Sequence, residues 1–290
     1  RKSDLMPNIF TNNNTCELGV VFMASGRKFS YKFKYDAVKE EYIYESFSEV
    51  FKDKYGNEKE ENWLEKDTVK EIFKSVDQDL QAMIPMISNN NLLYYLIDTS
   101  KFKKLNEMKT ILISFADKID VINMNNIPME HTIELMKNKN KLQQKIVEFI
   151  KNADLYMDNF EYVDMDKIKL ESVEYEKKPE EKVLEVLDNI MDQIRLVSTY
   201  KGISVPSVLF DSTGTKKIAA IAGYVIEALE QGRILVVDEL DSSIHFKLTR
   251  AIVTMFNNEL NENAQMIFTV HDINLMDCKR LFRKEQIWFV

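Results

Sequence analysis

Gly232-Arg233-Ile234-Leu235-Val236-Val237-Asp238-Glu239-Leu240-Asp241 is the stretch that decides the fold. Four consecutive aliphatic residues read as a strand buried on both faces, the pattern of a parallel sheet. Two adjacent carboxylates stand where that strand should end. Carboxylates are costly to bury unless a cation or a hydrogen-bond network meets them. At the carboxyl edge of an α/β sheet they would instead face a ligand crevice. Further along, Ala264-Gln265-Met266-Ile267-Phe268-Thr269-Val270-His271-Asp272 reads as a second apolar strand that ends in a histidine. Between the two, Lys247 to Asn258 reads as a crossover helix whose buried side is Leu248, Ile252, Val253 and Phe256. Strand, helix, strand is a parallel α/β layer.

The residues at the strand ends carry the chemistry. An aliphatic strand closed by Asp-Glu has the form of a Walker B segment. Asp238 would hold Mg²⁺ and Glu239 would polarise an attacking water. His271 would sense or stabilise phosphate charge. Upstream, Phe210-Asp211-Ser212-Thr213-Gly214-Thr215-Lys216-Lys217-Ile218 is a small polar turn that enters an apolar helix, Ile218 to Leu229. Its backbone N–H groups suit an anion. Plain alternatives stand beside each reading: ordinary strand-terminal acids, a structural histidine, and a helix N-cap by Ser212, Thr213 or Thr215.

Outward from this core, residues 16–50 read as antiparallel strands. Leu18, Val20 and Phe22 alternate with Glu17, Gly19 and Val21, and Ser25-Gly26-Arg27-Lys28 supplies a turn. Phe29, Tyr31, Phe33 and Tyr35 continue the period of two, and Tyr42, Tyr44 and Ser46 extend the meander. The polar stretch from Lys52 to Glu61 reads as a surface loop. Residues 63–150 read as helical: Phe102, Leu105, Met108, Leu112, Phe115 and Ile119 form one apolar stripe, and Ile133, Met136, Leu142, Ile146 and Phe149 a second. Ser88–Asn91 and Asn123–Pro128 are the breaks. Strands are expected at 160–163 and 168–175, a charged break at 177–181, a short helix at 183–191, and a hairpin from Arg195 to Phe210 turning at Lys201-Gly202.

Composition bounds the classes. At 290 residues the chain suits one large or two ordinary domains. With 45% hydrophobic and 30% charged residues, wholesale disorder is excluded. Thirty-nine Lys and Arg against 47 Asp and Glu give a net charge of −8, which excludes a broadly basic nucleic-acid binder; a local basic patch stays open. Two distant cysteines, Cys16 and Cys278, make no disulfide framework, and a reducing cytoplasm fits. No apolar run approaches the roughly 20 residues of a membrane span. The chain starts without Met and stops in Ile287-Trp288-Phe289-Val290, so it reads as part of a longer protein.

In order and spacing these segments resemble ABC-type ATPase heads, above all the branch found in bacterial anti-phage and abortive-infection systems: RloA-like AAA-type proteins related to the overcoming-lysogenisation-defect ATPases. The likeness is strong over residues 205–290. Asp211-Ser212-Thr213-Gly214-Thr215-Lys216 looks like that branch's signature motif, Asp238-Glu239 like the Walker B pair, Asp241-Ser242-Ser243-Ile244-His245 like the D-loop, and His271 like the switch histidine. Gln286–Val290 looks like the strand that follows. The resemblance implies an α/β fold: an ABC-type P-loop ATPase head with an antiparallel β subdomain and a helical insertion. Its parts would be the antiparallel portion at 1–60, the insertion at 61–155, and return strands with the ATPase core at 156–290. It implies ATP and Mg²⁺ as cofactors. Glu239 and His271 would be catalytic, Asp238 would hold the metal, and Ser212, Gly214, Thr215 and Asp241 would meet the nucleotide, Ser212 and Gly214 from the partner head.

Partners follow from the same resemblance: a homodimer or higher oligomer through the heads, and an effector nuclease or toxin under their control. A nucleic-acid partner stays open, and no membrane is expected. Two alternatives accompany this reading, an ATPase-nuclease with a Toprim domain beyond residue 290 and an SMC-like DNA-repair ATPase. There are departures. Only Ser212 and Gly214 match the general Leu-Ser-Gly-Gly-Gln signature, and His245 stands where many ABC proteins carry aspartate. None of the seven glycines belongs to a G-x-x-x-x-G-K-[ST] P-loop, which is expected upstream of this stretch. No Q-loop is assigned.

Overall fold

A computed structural model of the chain describes residues 14–138, 141–154, 156–163, 190–276 and 281–289. They divide into two compact units, one up to Asp117 and one from Lys118 onward.

The first unit is built on a five-stranded antiparallel meander, β1 (Thr15–Ala24), β2 (Arg27–Asp36), β3 (Glu41–Lys52), β4 (Glu58–Asp67) and β5 (Ile72–Ser75), paired in sequence order. The β1–β2 turn is a two-residue link with Ser25 and Gly26 both at positive φ (51° and 74°), the backbone that a tight hairpin with the native strand twist needs. Phe22, Phe29, Phe47 and Trp63 meet on one face of the sheet. Helix α3 (Lys103–Ala116) covers that face with Leu105, Met108 and Leu112, and Phe115 stacks on Phe22 with ring centroids 4.0 Å apart. Two shorter helices, α1 (Gln78–Met83) and α2 (Leu93–Leu96), lead into α3.

The meander corrects two expectations. The charged run 52–61 is not one surface loop. Asp53 Oδ1 accepts the Tyr55 and Asn57 N–H groups in a tight turn, and the chain is back in a strand by Glu58. Glu58–Glu61 are exposed at the end of a ribbon, so they carry no apolar face to betray the strand. Likewise the helical reading of 63–150 fails at its start, because Trp63, Leu64 and Phe73 belong to β4 and β5 and helix begins only at Gln78.

In the second unit a three-stranded parallel sheet runs in the order β6 (Ile119–Asn123), β10 (Ile234–Asp238), β11 (Gln265–Phe268). A second, antiparallel sheet holds β7 (Asn159–Tyr162), β8 (Leu196–Tyr200) and β9 (Ile203–Pro206). The β8–β9 hairpin turns at Lys201 and Gly202 as expected, both at positive φ (49° and 77°). Helices α4 (Glu130–Lys137) and α5 (Lys141–Ala153) pack on a long helix, α7 (Thr213–Gln231), which follows the single turn α6 (Ser207–Phe210). The apolar crossover helix α8 (Phe246–Phe256) joins β10 to β11.

Helix α7 buries Ala219, Ala220, Ala222, Val225, Ile226 and Ala228. The small residues let α4 come close. Thr132 Oγ1 donates to the Ala220 carbonyl at 2.8 Å and accepts the Gly223 N–H at 3.2 Å, and a Cβ on Gly223 would lie 2.5 Å from that hydroxyl. At the helix end Gly232 takes the left-handed C-cap at φ 66°, which glycine adopts without a Cβ clash.

Ile119 is not part of the α3 stripe. It opens β6, which pairs in parallel register with β10 from Ile119↔Ile234 to Asn123↔Asp238. Arg233 closes the amino end of this pair with a two-pronged ion pair to Asp120 at 2.6 and 2.9 Å. Leu235 and Val237 are buried, while Val236 faces the other side, in register with Val121 and Ile267, which are 72% and 61% exposed. The expected double burial of this strand therefore holds for one face within this chain. The closing stretch at 286–290 is not a strand in its described part. Lys284–Gln286 is a short 3₁₀ turn, and Trp288 and Phe289 lie exposed. The expected strand at 168–175, the charged break at 177–181 and all but the last two residues of the expected helix at 183–191 lie outside the described residues, as does Cys278.

A strand–helix alternation at the carboxyl edge

The carboxyl ends of β6, β10 and β11 gather Asn123, Asp238 and Thr269 side by side. Asp238 accepts from both neighbours: Asn123 Nδ2 reaches Oδ2 at 2.7 Å and Thr269 Oγ1 reaches Oδ1 at 2.7 Å. The pairing follows from the parallel register, which sets Asn123 directly opposite Asp238. Neither neighbour is charged, so the carboxylate is oriented without being neutralised, and it stays exposed.

Glu239 follows in a left-handed backbone conformation, φ 55°, unusual for a residue with a side chain. Its N–H donates to Thr269 Oγ1 at 2.8 Å, and the next N–H, of Leu240, donates to the Thr269 carbonyl at 2.9 Å. One threonine thus fixes Asp238 by its side chain and the turn after it by both oxygens. The kink turns the Glu239 side chain toward Asn125, whose Nδ2 donates to Oε2. The other carboxylate oxygen lies 3.9 Å from His271 Nε2, and the His271 side chain is 83% exposed.

Asp241 turns back toward the β11 end. Its Oδ2 accepts the N–H groups of His271 at 3.0 Å and of Asp272 at 2.9 Å. The side chain therefore fixes the backbone on which His271 stands. Ser242 and Ser243 lie against the start of α7. Lys217 Nζ donates to Ser242 Oγ at 3.3 Å and to Ser243 Oγ at 3.1 Å. A Cβ on Gly214 would lie 3.3 Å from the Ser243 carbonyl, so glycine keeps this approach open.

At the start of α7, Ser212 is the N-cap, accepting the Thr215 N–H at 3.1 Å. Thr215 is buried and its hydroxyl reaches Asp154 Oδ2 at 3.1 Å, so this side chain faces the helix packing rather than solvent. Asp211 is also internal: the hydroxyls of Ser198, Ser207 and Tyr200 donate to it at 2.6, 2.6 and 2.9 Å. Burial, and then this carboxylate, hold the Tyr200 phenol above its ordinary range. Ser212 and Gly214 remain at the exposed edge of the turn with the first helical N–H groups.

The structure thus brings Asp238, Glu239, Asp241 and His271 to one edge, with Ser212 and Gly214 on a turn that the 242–243 segment touches. Sequence reasoning missed Asn123, Asn125, Thr269 and Lys217. Thr269 was inside the quoted β11 stretch, and Asn123 and Asn125 inside the quoted break.

A single Mg²⁺ suits this donor set. The ion takes oxygen ligands, commonly one or two carboxylates with substrate phosphates, rather than a full protein cage. Asp238 offers an exposed carboxylate held from behind, and among the described residues no three His, Cys, Asp or Glu side chains converge as a closed metal cage.

The family model described as "AAA domain, putative AbiEii toxin, Type IV TA system" matches residues 17–277, and the chain belongs to this family of AAA domains. Among solved structures, the SMC head domain from Thermotoga maritima aligns with 87% of this chain and 67% of its own length, at 10% identity and a TM-score of 0.32. A TM-score that low does not establish a shared fold. No curated protein sequence matches the chain.

Proposed function

We propose that this chain is most of an ABC-type ATPase head that binds ATP with Mg²⁺ and hydrolyses it. The observation that supports this best is the row Asn123–Asp238–Thr269 at the carboxyl edge of a parallel sheet, with Glu239 next to it. Asp238 would hold Mg²⁺, whose charge would offset the phosphates and the developing negative charge of the transition state. Glu239 would accept a proton from, or orient, the attacking water. His271, on a backbone clamped by Asp241, would stand beside the terminal phosphate. Ser212 and Gly214, at the start of a 19-residue helix, would offer backbone N–H groups to the nucleotide of a second head. ATP would then favour a closed pair of heads because it touches both.

The biological setting is part of the same proposal: control by the heads of a separate nuclease or toxin in an anti-phage or toxin–antitoxin system. The family's description, which names a putative toxin and a type IV toxin–antitoxin system, supports the toxin–antitoxin part of that setting. Among the described residues no helix is long and apolar enough to cross a membrane.

The test is ATP turnover by the full-length protein and its Glu239→Gln variant, with molar mass followed by light scattering. Expected is a loss of hydrolysis in the variant with an ATP-stabilised dimer. Equal turnover by the two proteins would remove Glu239 from the reaction.

A further inference from the structure

Resting on the ATPase reading above, we propose that Asn125 is a positioning residue: it sets the Glu239 carboxylate and ties it, through Ser242 and Lys217, to the start of helix α7. Asn125 lies two residues beyond β6 in the 3₁₀ turn Met124–Asn126. Its backbone is fixed from both sides. Asn123 Oδ1 accepts the Asn125 N–H at 2.8 Å, and Met124, fully buried, pins the turn to the core. The position of the Asn125 side chain therefore follows from the same residue that orients Asp238.

The amide group does two things at once. Nδ2 donates to Glu239 Oε2, and Oδ1 accepts from Ser242 Oγ at 2.5 Å. Only this orientation satisfies both neighbours, because a carboxylate can only accept and the serine hydroxyl then donates. Asp in this place would have no donor and would repel Glu239. Ala would offer neither bond. Ser242 in turn is held by Lys217, which also reaches the Ser242 carbonyl at 3.4 Å. A continuous chain of contacts thus runs from the first turn of α7 to one oxygen of Glu239, and the other oxygen is left toward His271.

The chain gives the site a way to register what meets the start of α7. A group engaging that turn competes for Lys217, which frees Ser242 to rotate, and the Asn125 amide then loses the acceptor that fixes its plane. Glu239 would be oriented only while the contact set is intact. The 239–243 segment carries two residues at positive φ, Glu239 (55°) and Ser243 (63°), so its conformation depends on such outside bonds.

The experiment uses the full-length protein with Asn125→Ala, Asn125→Asp and Asn125→Gln, each alone and the first also combined with Glu239→Gln. Misplacing a water-orienting group by about 1 Å costs on the order of 100-fold, so Asn125→Ala should lower kcat about 10- to 100-fold with KM for ATP nearly unchanged. Asn125→Asp should be as poor. Asn125→Gln, which keeps donor and acceptor, should recover part of the rate. In the Glu239→Gln background Asn125→Ala should lower the residual rate no further. Ser242→Ala should repeat the Asn125→Ala effect in weaker form. Wild-type kcat in both Asn125→Ala and Asn125→Asp, a change confined to KM, or an equal fall in the Glu239→Gln background would each overturn the assignment. If Glu239→Gln itself turns over like wild type, the ATPase reading fails and this inference with it. If that control is inactive while the Asn125 variants are unaffected, only the inference fails. Asn125 is exposed, so the variants should melt with the parent protein.

Discussion

Replacing Glu45 by Gln should stabilise the first unit at pH 8 and leave it unchanged at pH 4. Glu45 lies on β3, 2% exposed. Its Oε1 accepts from the Tyr31 hydroxyl at 3.0 Å and its Oε2 from the Leu93 N–H at 2.8 Å. Burial pushes the carboxyl up from 4.5 to about 7, although both hydrogen bonds and the Lys66 ammonium pull the other way. A carboxyl whose folded value is raised stabilises the fold fully below its unfolded value, near 4.5, and this contribution is lost as pH rises through 7. A rise of that size corresponds to about 3 kcal/mol between acid and mildly alkaline solution. Gln is isosteric: its oxygen still accepts the Leu93 N–H and its amide can donate to the Tyr31 oxygen, with no charge to desolvate. The gain at pH 8 is therefore at most about 3 kcal/mol, reduced by whatever Lys66 loses as its pairing charge disappears. Lys66 keeps the Ile87 and Ser88 carbonyls, each at 3.3 Å. Urea unfolding followed by tryptophan fluorescence is the assay. The chain has two tryptophans: Trp63 is 3% exposed in the core of the first unit, whereas Trp288 is 83% exposed, so the change in emission reports Trp63. If Glu45→Gln lost the same stability at pH 8 as at pH 4, the carboxylate would be a net contributor at neutral pH, and the burial argument would be refuted.

Two further perturbations test the second unit. Gly223→Ala puts a Cβ 2.5 Å from Thr132 Oγ1 and 3.0 Å from its Cα, and because the latter is backbone the helices must part; overpacking of this kind costs about 1–3 kcal/mol, to be read from thermal unfolding, and an unchanged melting temperature would show that α4 is not held against α7 as described. Thr269→Val keeps the shape but removes the hydroxyl shared by Asp238 Oδ1 and the Glu239 N–H. Because the site is open to water, the expected loss is about 1–2 kcal/mol in transition-state stabilisation, roughly 10-fold in kcat/KM. Its mark should be a raised Mg²⁺ requirement, and a variant with wild-type Mg²⁺ dependence would separate Thr269 from the carboxylate proposed to hold Mg²⁺.

How much of this was legible in the sequence depended on what kind of physics wrote each element. β10, α8 and β11 were legible because short apolar runs mark the two strands, and Leu248, Ile252, Val253 and Phe256 recur at helical spacing between them. The β1–β2 hairpin was legible because aromatic alternation and Ser25-Gly26 agree. β4 was hidden, since its first four residues, Glu58 to Glu61, stand exposed and are polar on both faces. β6 was hidden for a different reason. Ile119 continues the three- and four-residue spacing of α3, so periodicity alone extends the helix across the boundary between the two units. Only its partner β10 shows that Ile119 starts a strand.

The same division runs through the candidate site. Of the residues that the sequence offered, Asp238, Glu239, Asp241 and His271 are charged or titratable types placed after apolar strands, and Ser212, Gly214 and Thr215 stand on a small polar turn before an apolar helix. Of those it withheld, Asn123, Asn125 and Thr269 are neutral and common in turns, Lys217 is one lysine among many, and nothing about them marks a site until the fold sets them against the carboxylates and the 242–243 segment. This asymmetry bears on mechanism. On the proposed ATPase reading the charged groups would act on the phosphate, but the neutral ones decide where each oxygen points: Asn123 and Thr269 each occupy one oxygen of Asp238, and Asn125 occupies one oxygen of Glu239. Substituting the charged residues asks whether the chemistry is right. Substituting the neutral ones asks whether this geometry is the one in which it happens, and Asn125 is the residue at which the two questions come apart.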